Sequence, residues 1–415
     1  MRPMRCDRAI EHAIAALPDD TLIAFSGGGD STALLAACVA RGLRHAAIVD
    51  HRIQPQSRLA ADEACAAAEK LGADCTIHTL SWSQGPPKDH ARARRARYAA
   101  LAQVARARGL THIAAAHTRD DQAETILIRH CAQSGLRGLA GMHARAPYPV
   151  WPEGRGLSLL RPLLRLSRAE LRAWLEVRGV PWREDPANDD RRFARVRARI
   201  VLQANPCLSA RLLQVGASAA HRAACIDAAA LALADQYVAF DDMGAARMGR
   251  APWRAASLLV RRRVLSVLVQ AVSGKEAPAE APALNALADR IDAVPRGAAS
   301  LGGAHLTWTA QTLALTIDPG LAGGRRDHGI AAPAPAPLPR GESAVWQGRL
   351  EVSAGSMAPN GLALGPGVRG ALLVCSGDAA FTLADAKAAG LIQSWRSLPP
   401  QRLQTLLYRG KFTSA

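Results

Sequence analysis

The chain has 415 residues, 49% hydrophobic and 21% charged, enough for two or three domains with well-buried cores. Its formal net charge is +17, carried almost entirely by arginine, since lysine occurs only at 70, 88, 275, 387 and 411. Such an excess draws a protein towards polyanions, and guanidinium forks match phosphate oxygens. The apolar stretch Ala33–Ala40 is too short to span a bilayer, and Asp7, Glu11 and His12 interrupt any signal-peptide core. A cytoplasmic address without membrane contact is therefore expected. Cysteines at 6, 38, 65, 75, 131, 207, 225 and 375 include no Cys-x-x-Cys pair, which fits neither a zinc site nor a disulfide framework.

Along the first two hundred residues, short apolar runs alternate with helical patterns, the signature of an α/β parallel sheet flanked by helices. The expected order is helix Arg8–Ala16, strand Thr21–Phe25, helix Ser31–Arg41, strand His45–Asp50, helix Arg58–Leu71, strand Cys75–Leu80, helix His90–Ala107, strand His112–His117 and helix Asp120–Cys131. Gly42, Gly72 and Gly109 fall just past helices, where a left-handed residue ends the turn. Arg168–Arg178 reads as a helix closed by Gly179, followed by a polar, Arg-rich segment over Arg183–Arg199. From Leu208 to Arg290 the chain reads as helical and Ala-rich, then Leu301–Leu306 and Thr309–Ile317 as strands, with a bulge or bend at Gly302-Gly303. Residues 318–342 read as an extended Pro/Gly-rich linker, and the last seventy as a small α+β unit with a helix-like segment at Leu391–Trp395. The expected domains are thus 1–207 (α/β), 208–317 (mostly helical, with a C-terminal β segment), the linker 318–342, and 343–415 (small α+β).

Between the first strand and its helix stands Ser26-Gly27-Gly28-Gly29-Asp30-Ser31. Glycines let the backbone turn sharply and aim several N–H groups at one point, and the helix N-terminus adds its positive end; that suits pyrophosphate. The loop matches neither the Walker pattern nor the dinucleotide fingerprint, Thr32 standing where the latter needs its third glycine. With no loop lysine, cleaved phosphates must be neutralised by Mg²⁺ and arginines, which makes Asp30 a candidate metal or water-organising carboxylate. Asp50-His51, at the carboxyl end of the second strand, is placed to hold ribose or metal, or to serve as a plain strand end. Asp121 and Glu124 lie three apart on one helix face, able to hold an ammonium group or accept a proton, or to form a solvated acidic face. Arg94 and Arg97 share a helix face suited to phosphate or to solvent, and His117 at a strand end is structural or near nucleotide.

These blocks, in order, resemble tRNA(Ile)-lysidine synthase: SGGGDS (26–31), DHRIQPQS (50–57), ARARRARY (91–98), AHTRDDQAET (116–125), GLRGLAGM (135–142), RPLL (161–164) and DPANDDRRFARVR (185–197). The first alone would mark only some PP-loop ATP pyrophosphatase; the later blocks at matching spacings are more specific. The resemblance implies a PP-loop domain and a two-step reaction using ATP and Mg²⁺. ATP adenylates the ring carbonyl oxygen of the wobble cytidine in a CAU anticodon, releasing pyrophosphate. The ε-amine of free L-lysine then attacks the activated carbon and expels AMP. It implies nucleotide binding by Ser26, Gly27, Gly28, Gly29, Asp30, Ser31, Asp50, His51 and His117. Catalytic roles fall to Asp30, Asp121, Glu124, Arg97 and Arg195, with Mg²⁺ at Asp30 and Asp121, and Arg197 joining Arg195 in a segment that closes over the site or grips tRNA. The chain departs from the family at Ala187, where serine is usual before Asn188, and at Ala116, where a second histidine often stands.

A tRNA thiolation enzyme would share the loop and the adenylation, but such enzymes depend on paired cysteines. A small-molecule amidotransferase would need an ammonia supply, and a non-catalytic tRNA-binding protein on this fold would have no use for Asp30 and Asp121. Oligomeric state is not legible in the chain.

Overall fold

Apolar runs such as Thr21–Ala24 and His45–Asp50, each followed by a helix long enough to carry the chain back, can pair only in parallel. The architecture is that of a computed structural model, which describes residues 2–53, 56–82, 85, 87, 89–184, 190–323, 332–366, 372–377 and 379–407. The chain divides into two compact units, Met1–Ala224 and Cys225–Tyr408. Asn188, in the late sequence block, lies outside the described residues, as do residues 324–331 of the expected linker.

The first unit runs α1 (Arg2–Ala15), β1 (Thr21–Ala24), α2 (Gly29–Ala40), β2 (His45–Asp50), α3 (Ser57–Lys70), β3 (Asp74–Thr79), α4 (His90–Ala107), β4 (His112–Ala114), α5 (Arg119–Cys131), α6 (Leu136–Leu139), β5 (Arg145–Pro147), β6 (Ser158–Leu160), α7 (Arg168–Val177), α8 (Ala194–Ala204) and the start of α9 (Pro206–Tyr237). Its six strands lie in the order β3-β2-β1-β4-β6-β5, parallel except for β5 at the edge. Alternate residues of β1 feed opposite layers. Ile23 packs with Leu34, Leu35, Ile48, Leu171 and Leu175 on one face. Leu22 packs with Leu101, Val104, Ile113 and Leu159 on the other. Gly42, Gly72, Gly109 and Gly179 all have positive φ just past their helices, as expected. Because β1 sits between β2 and β4, the strand order reverses there, and the loops leaving the carboxyl ends of β1 and β4 flank one crevice.

The second unit begins within α9 and continues with β7 (Val238–Phe240), β8 (Ala246–Gly249), α10 (Arg250–Ala255), α11 (Leu258–Ser273), α12 (Ala281–Ala293), β9 (Gly297–Leu301), β10 (Ala304–Trp308), β11 (Thr312–Ile317) and α13 (Pro319–Gly323). The stretch expected to be helical throughout is therefore interrupted by β7 and β8. They extend a five-stranded antiparallel sheet, β7-β8-β11-β10-β9, over which α11 buries Val264, Leu268 and Val272. Gly302 and Gly303, at φ 60° and 91°, form the tight turn between β9 and β10, so the expected bend separates two strands rather than kinking one. Arg250 is fully buried and donates to the carbonyls of Pro295 (2.8 Å), Thr309 (2.8 Å), Val294 (2.6 Å) and Ile291, closing the carboxyl end of α12.

Beyond lie β12 (Ala336–Pro337), β13 (Ser343–Trp346), β14 (Leu350–Ala354), β15 (Leu362–Pro366), β16 (Leu372–Ser376), β17 (Ala379–Phe381), α14 (Leu383–Ala388), β18 (Ile392–Ser397) and α15 (Pro399–Leu407). They form a four-stranded and a three-stranded sheet around Val352, Leu364 and Val374. The segment read as helix-like at Leu391–Trp395 is a strand. Gly390, at φ 72°, ends α14, and β14 then supplies hydrogen-bond partners along β18, opposing Val352 to Trp395. The helix that follows β18 is α15, starting at Pro399, and it packs Leu403 and Leu407 into the core around α11.

Candidate functional site

Leu22 and Ile23 are fully buried in β1, so the chain emerges from the sheet with no freedom in direction and must turn at once. Gly27 makes that turn at φ 79°, a conformation L side chains rarely adopt. Gly28, extended at φ −76° and ψ 159°, is the N-cap of α2. Ser31 Oγ donates to the Gly28 carbonyl at 2.9 Å and accepts from the Ser26 N–H at 3.3 Å, closing the loop on itself. The indole of Trp182 packs on Gly29, 3.2 Å from where a Cβ would stand, and the Arg183 N–H donates to the Gly27 carbonyl at 3.0 Å. No side chain caps α2, whereas α5 and α7 both carry complete capping boxes. The open N-terminus of α2 therefore keeps donors for an anion.

A Cβ on Gly28 would meet only Ser26 Oγ, at 3.8 Å, and its backbone suits any residue. Gly28→Ala is expected to leave stability within about 0.5 kcal/mol. The added methyl would occupy the cradle, so ATP affinity should fall at least about tenfold, or about 1.4 kcal/mol. Thermal melts beside nucleotide titration check both halves, and unchanged ATP affinity would contradict the cradle.

Three helix N-termini meet at the carboxylates. Asp30 lies in the first turn of α2, and Asp121 and Glu124 on α5. Arg168, first residue of α7, binds all three: Nε is 3.4 Å from Asp30, Nη2 is 2.5 Å from Asp121 and Nη1 is 2.7 Å from Glu124. Burial pushes the Asp30 carboxyl up to about 6, and the charge of Asp121 adds to the rise against the pull of Arg168. Burial would raise Asp121 too, but Arg168, the Thr118 N–H and Arg195 outweigh it and hold it below the ordinary range. Asp121 is committed on both oxygens: Oδ2 accepts from the Thr118 N–H (2.8 Å) and hydroxyl (2.9 Å), Oδ1 from Arg168. Glu124, 1% exposed, accepts from Arg168 and from Arg199 Nε at 3.1 Å. Burial would lower Arg168, yet Glu124, Asp121 and Asp30 together hold it above the ordinary guanidinium value.

A basic wall adjoins this cluster. Strand β4 stops at Ala114, so the chain bends before His117 and Thr118 rather than running straight to 117. Burial, then the charge of Arg161, pulls His117 down to about 3, which keeps it neutral at any working pH. Burial and then Arg97 likewise lower His51, whose carbonyl accepts from Trp82 Nε1 at 2.7 Å. Arg97 is half-buried over the Tyr98 ring, and burial depresses its guanidinium, with Arg94 and Arg195 adding repulsion. Arg195 joins the two sides, 3.8 Å from Asp121 and electrostatically felt by both Arg97 and His117. Asp50, 2% exposed, is held by the N–H of Arg52 at 3.0 Å and by its Nε at 3.5 Å.

The structure thus brings Asp30, Asp121, Glu124 and Arg195 together, with Arg97 and His117 beside them. Arg197 points elsewhere, donating to the carbonyls of Arg191 (2.9 Å) and Arg192 (2.8 Å). Two participants escaped the sequence reading. Arg199 carried a signal, because it lies four residues after Arg195 on one face of α8. Arg168 carried another: a cation at the first position of a helix opposes the dipole and needs a reason.

The family description PP-loop domain matches residues 5–205. The chain is 35% identical over 377 residues to the tRNA(Ile)-lysidine synthase of Hyphomonas neptunium, covering 86% of this chain and 94% of that one. With the enzyme of the same name from Caulobacter vibrioides it shares 38% identity over 345 residues, covering 81% and 74%. With that of a Bradyrhizobium species it shares 38% over 317 residues, covering 70% and 85%. A relative above 30% identity that is matched over nearly its whole length leaves one assignment: the chain belongs to the tRNA(Ile)-lysidine synthase family.

Proposed function

We propose that the protein ligates free lysine to the wobble cytidine of a tRNA(Ile) with a CAU anticodon, converting ATP to AMP and pyrophosphate through an adenylated cytidine. Family membership makes it a tRNA-modifying ligase with an ATP-using PP loop. The observation that carries the rest is the adjacency of an uncapped phosphate loop and an acidic cluster in one crevice, so that an activated base and an amine can meet.

In the first step the cytidine carbonyl oxygen attacks the α-phosphorus of ATP and the bond to pyrophosphate breaks. Ser26 to Ser31 hold the phosphates through backbone N–H groups, and Arg97 and Arg195 face the negative charge that builds. In the second, the lysine nitrogen bonds to the activated carbon, the bond to AMP breaks, and the nitrogen sheds a proton to the carboxylate cluster. Mg²⁺ fits Asp30, whose side chain is 26% exposed and held only at 3.4 Å; it does not fit Asp121, whose oxygens are both engaged. Bound there, the cation would supply neutralising charge for the pyrophosphate. Asp50 and His51 border the nucleotide from the end of β2.

The segments 208–317 and 343–415 serve tRNA binding in this reading, and the protein works in the cytoplasm. No helix among the described residues is long and apolar enough to cross a membrane. Digestion of the reacted tRNA to nucleosides tests the proposal. A lysine-bearing cytidine at the wobble position supports it, and an unmodified or sulfur-bearing base there rejects it.

Arg92, Arg94, Arg191 and Arg192 are exposed around the site on a chain of net charge +17. With half a dozen phosphate contacts, tRNA affinity should fall at least about a hundredfold between 50 and 200 mM salt. Filter binding across that range measures it, and a flat response would refute phosphate-led docking.

A further inference from the structure

The first position of a helix disfavours a cation, because four unpaired N–H groups already make that end positive. Arg168 occupies this position on α7 and is nonetheless fixed there from several sides. The Ser167–Glu170 capping box sets the start of the helix: Ser167 Oγ and N–H donate to Glu170 at 2.6 and 2.7 Å. The Arg168 N–H donates to Asp120 at 2.8 Å, and the Arg119 N–H to the Leu166 carbonyl at 2.8 Å, which ties the start of α7 to the start of α5. The side chain, 17% exposed, then spends its guanidinium on Asp30, Asp121 and Glu124.

We propose that Arg168 is a positioning residue for the ligation, locking the phosphate-loop carboxylate Asp30 and the α5 pair Asp121 and Glu124 into one rigid unit. A planar fork suits this, since its N–H groups are spread over Nε, Nη1 and Nη2 and face three separate carboxylates; an ammonium also has three donors but gathers them at one point on a flexible stem. Without it, three negative groups would face one another, with Arg199 on Glu124, Arg195 at 3.8 Å from Asp121 and the longer-range charge of Arg172 on Asp30. Asp30 would lose its ion pair with Arg168 and swing from the loop, while the α5 pair stayed with its own partners. The two halves of the reaction would then no longer share a geometry, and a misplacement of that size lowers turnover more than binding.

The inference rests on the proposed reaction, so the test uses the full chain with ATP, Mg²⁺, a tRNA carrying a CAU anticodon and labelled lysine. Arg168→Met should lower kcat at least about a hundredfold, with KM for ATP and for tRNA within about threefold. Arg168→Lys should recover about tenfold of that loss. Adding Asp30→Asn to Arg168→Met should cost less than the product of the two single losses, because both break the same link. Wild-type kcat in Arg168→Met would overturn the inference. So would equal inactivity of the Met and Lys variants with matching falls in melting temperature, the mark of a simple brace. A wild-type protein that leaves the tRNA unlabelled would instead remove the reaction itself.

Discussion

Asp30→Ala should abolish tRNA-dependent AMP release, by at least about a thousandfold, while tRNA affinity stays within about threefold. The reason is a separation of duties inside the loop. Its shape is made by Ser26, Gly27, Gly28 and Ser31 and by the Arg183 N–H, and none of those hydrogen bonds passes through the Asp30 carboxylate. That carboxylate is the least firmly paired of the three around Arg168 and the most exposed, at 26%. Losing a charge that, in the proposed reaction, would hold a cation against departing phosphates should cost several kcal/mol of transition-state stabilisation, and each 1.4 kcal/mol is about tenfold in rate. In the proposed docking the tRNA, by contrast, would meet arginines spread over α4 and the segment before α8. Radiolabelled AMP release beside filter binding distinguishes the two. If binding collapsed with activity, Asp30 would be holding the fold together and its catalytic assignment would be wrong.

Glu124→Ala should be the most destabilising change at the site, by about 3–5 kcal/mol, because it removes the carboxylate that Arg199 pairs with and one of the three that hold Arg168. Glu124 is 1% exposed and takes Arg168 at 2.7 Å and Arg199 at 3.1 Å. Arg199 keeps 26% exposure and can turn partly to water, which places the expected loss at the lower end of that range. Glu124→Gln keeps the shape and both acceptor directions on one oxygen, so it should recover more than half of the loss. Chemical denaturation of the three proteins measures the order. Equal stability of the alanine variant and wild type would mean that the ion pairs are not formed.

Much of the first unit was legible because each parallel strand must be followed by a helix, and the strand–helix alternation is strong in this chain. Helix His90–Ala107 and strand His45–Asp50 match residue for residue. The second unit was less legible. β7 and β8 are short and lie inside an Ala-rich stretch, where pairing to β11 overrides helix propensity. The last strand, β18, holds aromatic and apolar residues at spacings that serve a helix equally well, and only β14 beside it decides. At the site, the loop and the acidic pair were readable from local patterns. For Arg168 the local pattern held only a cation at an unfavourable helix position; its meaning comes from three carboxylates on two other helices, brought to it by packing that no local pattern contains.

The most direct test is turnover of ATP to AMP with Mg²⁺, a tRNA carrying a CAU anticodon, and lysine present or omitted. Sustained AMP and pyrophosphate release only when tRNA and lysine are both present, with one labelled lysine retained per tRNA, is the predicted result. Sustained AMP release that needs tRNA but ignores lysine, with no label on the tRNA, would contradict it and point the adenylated base towards a different nucleophile.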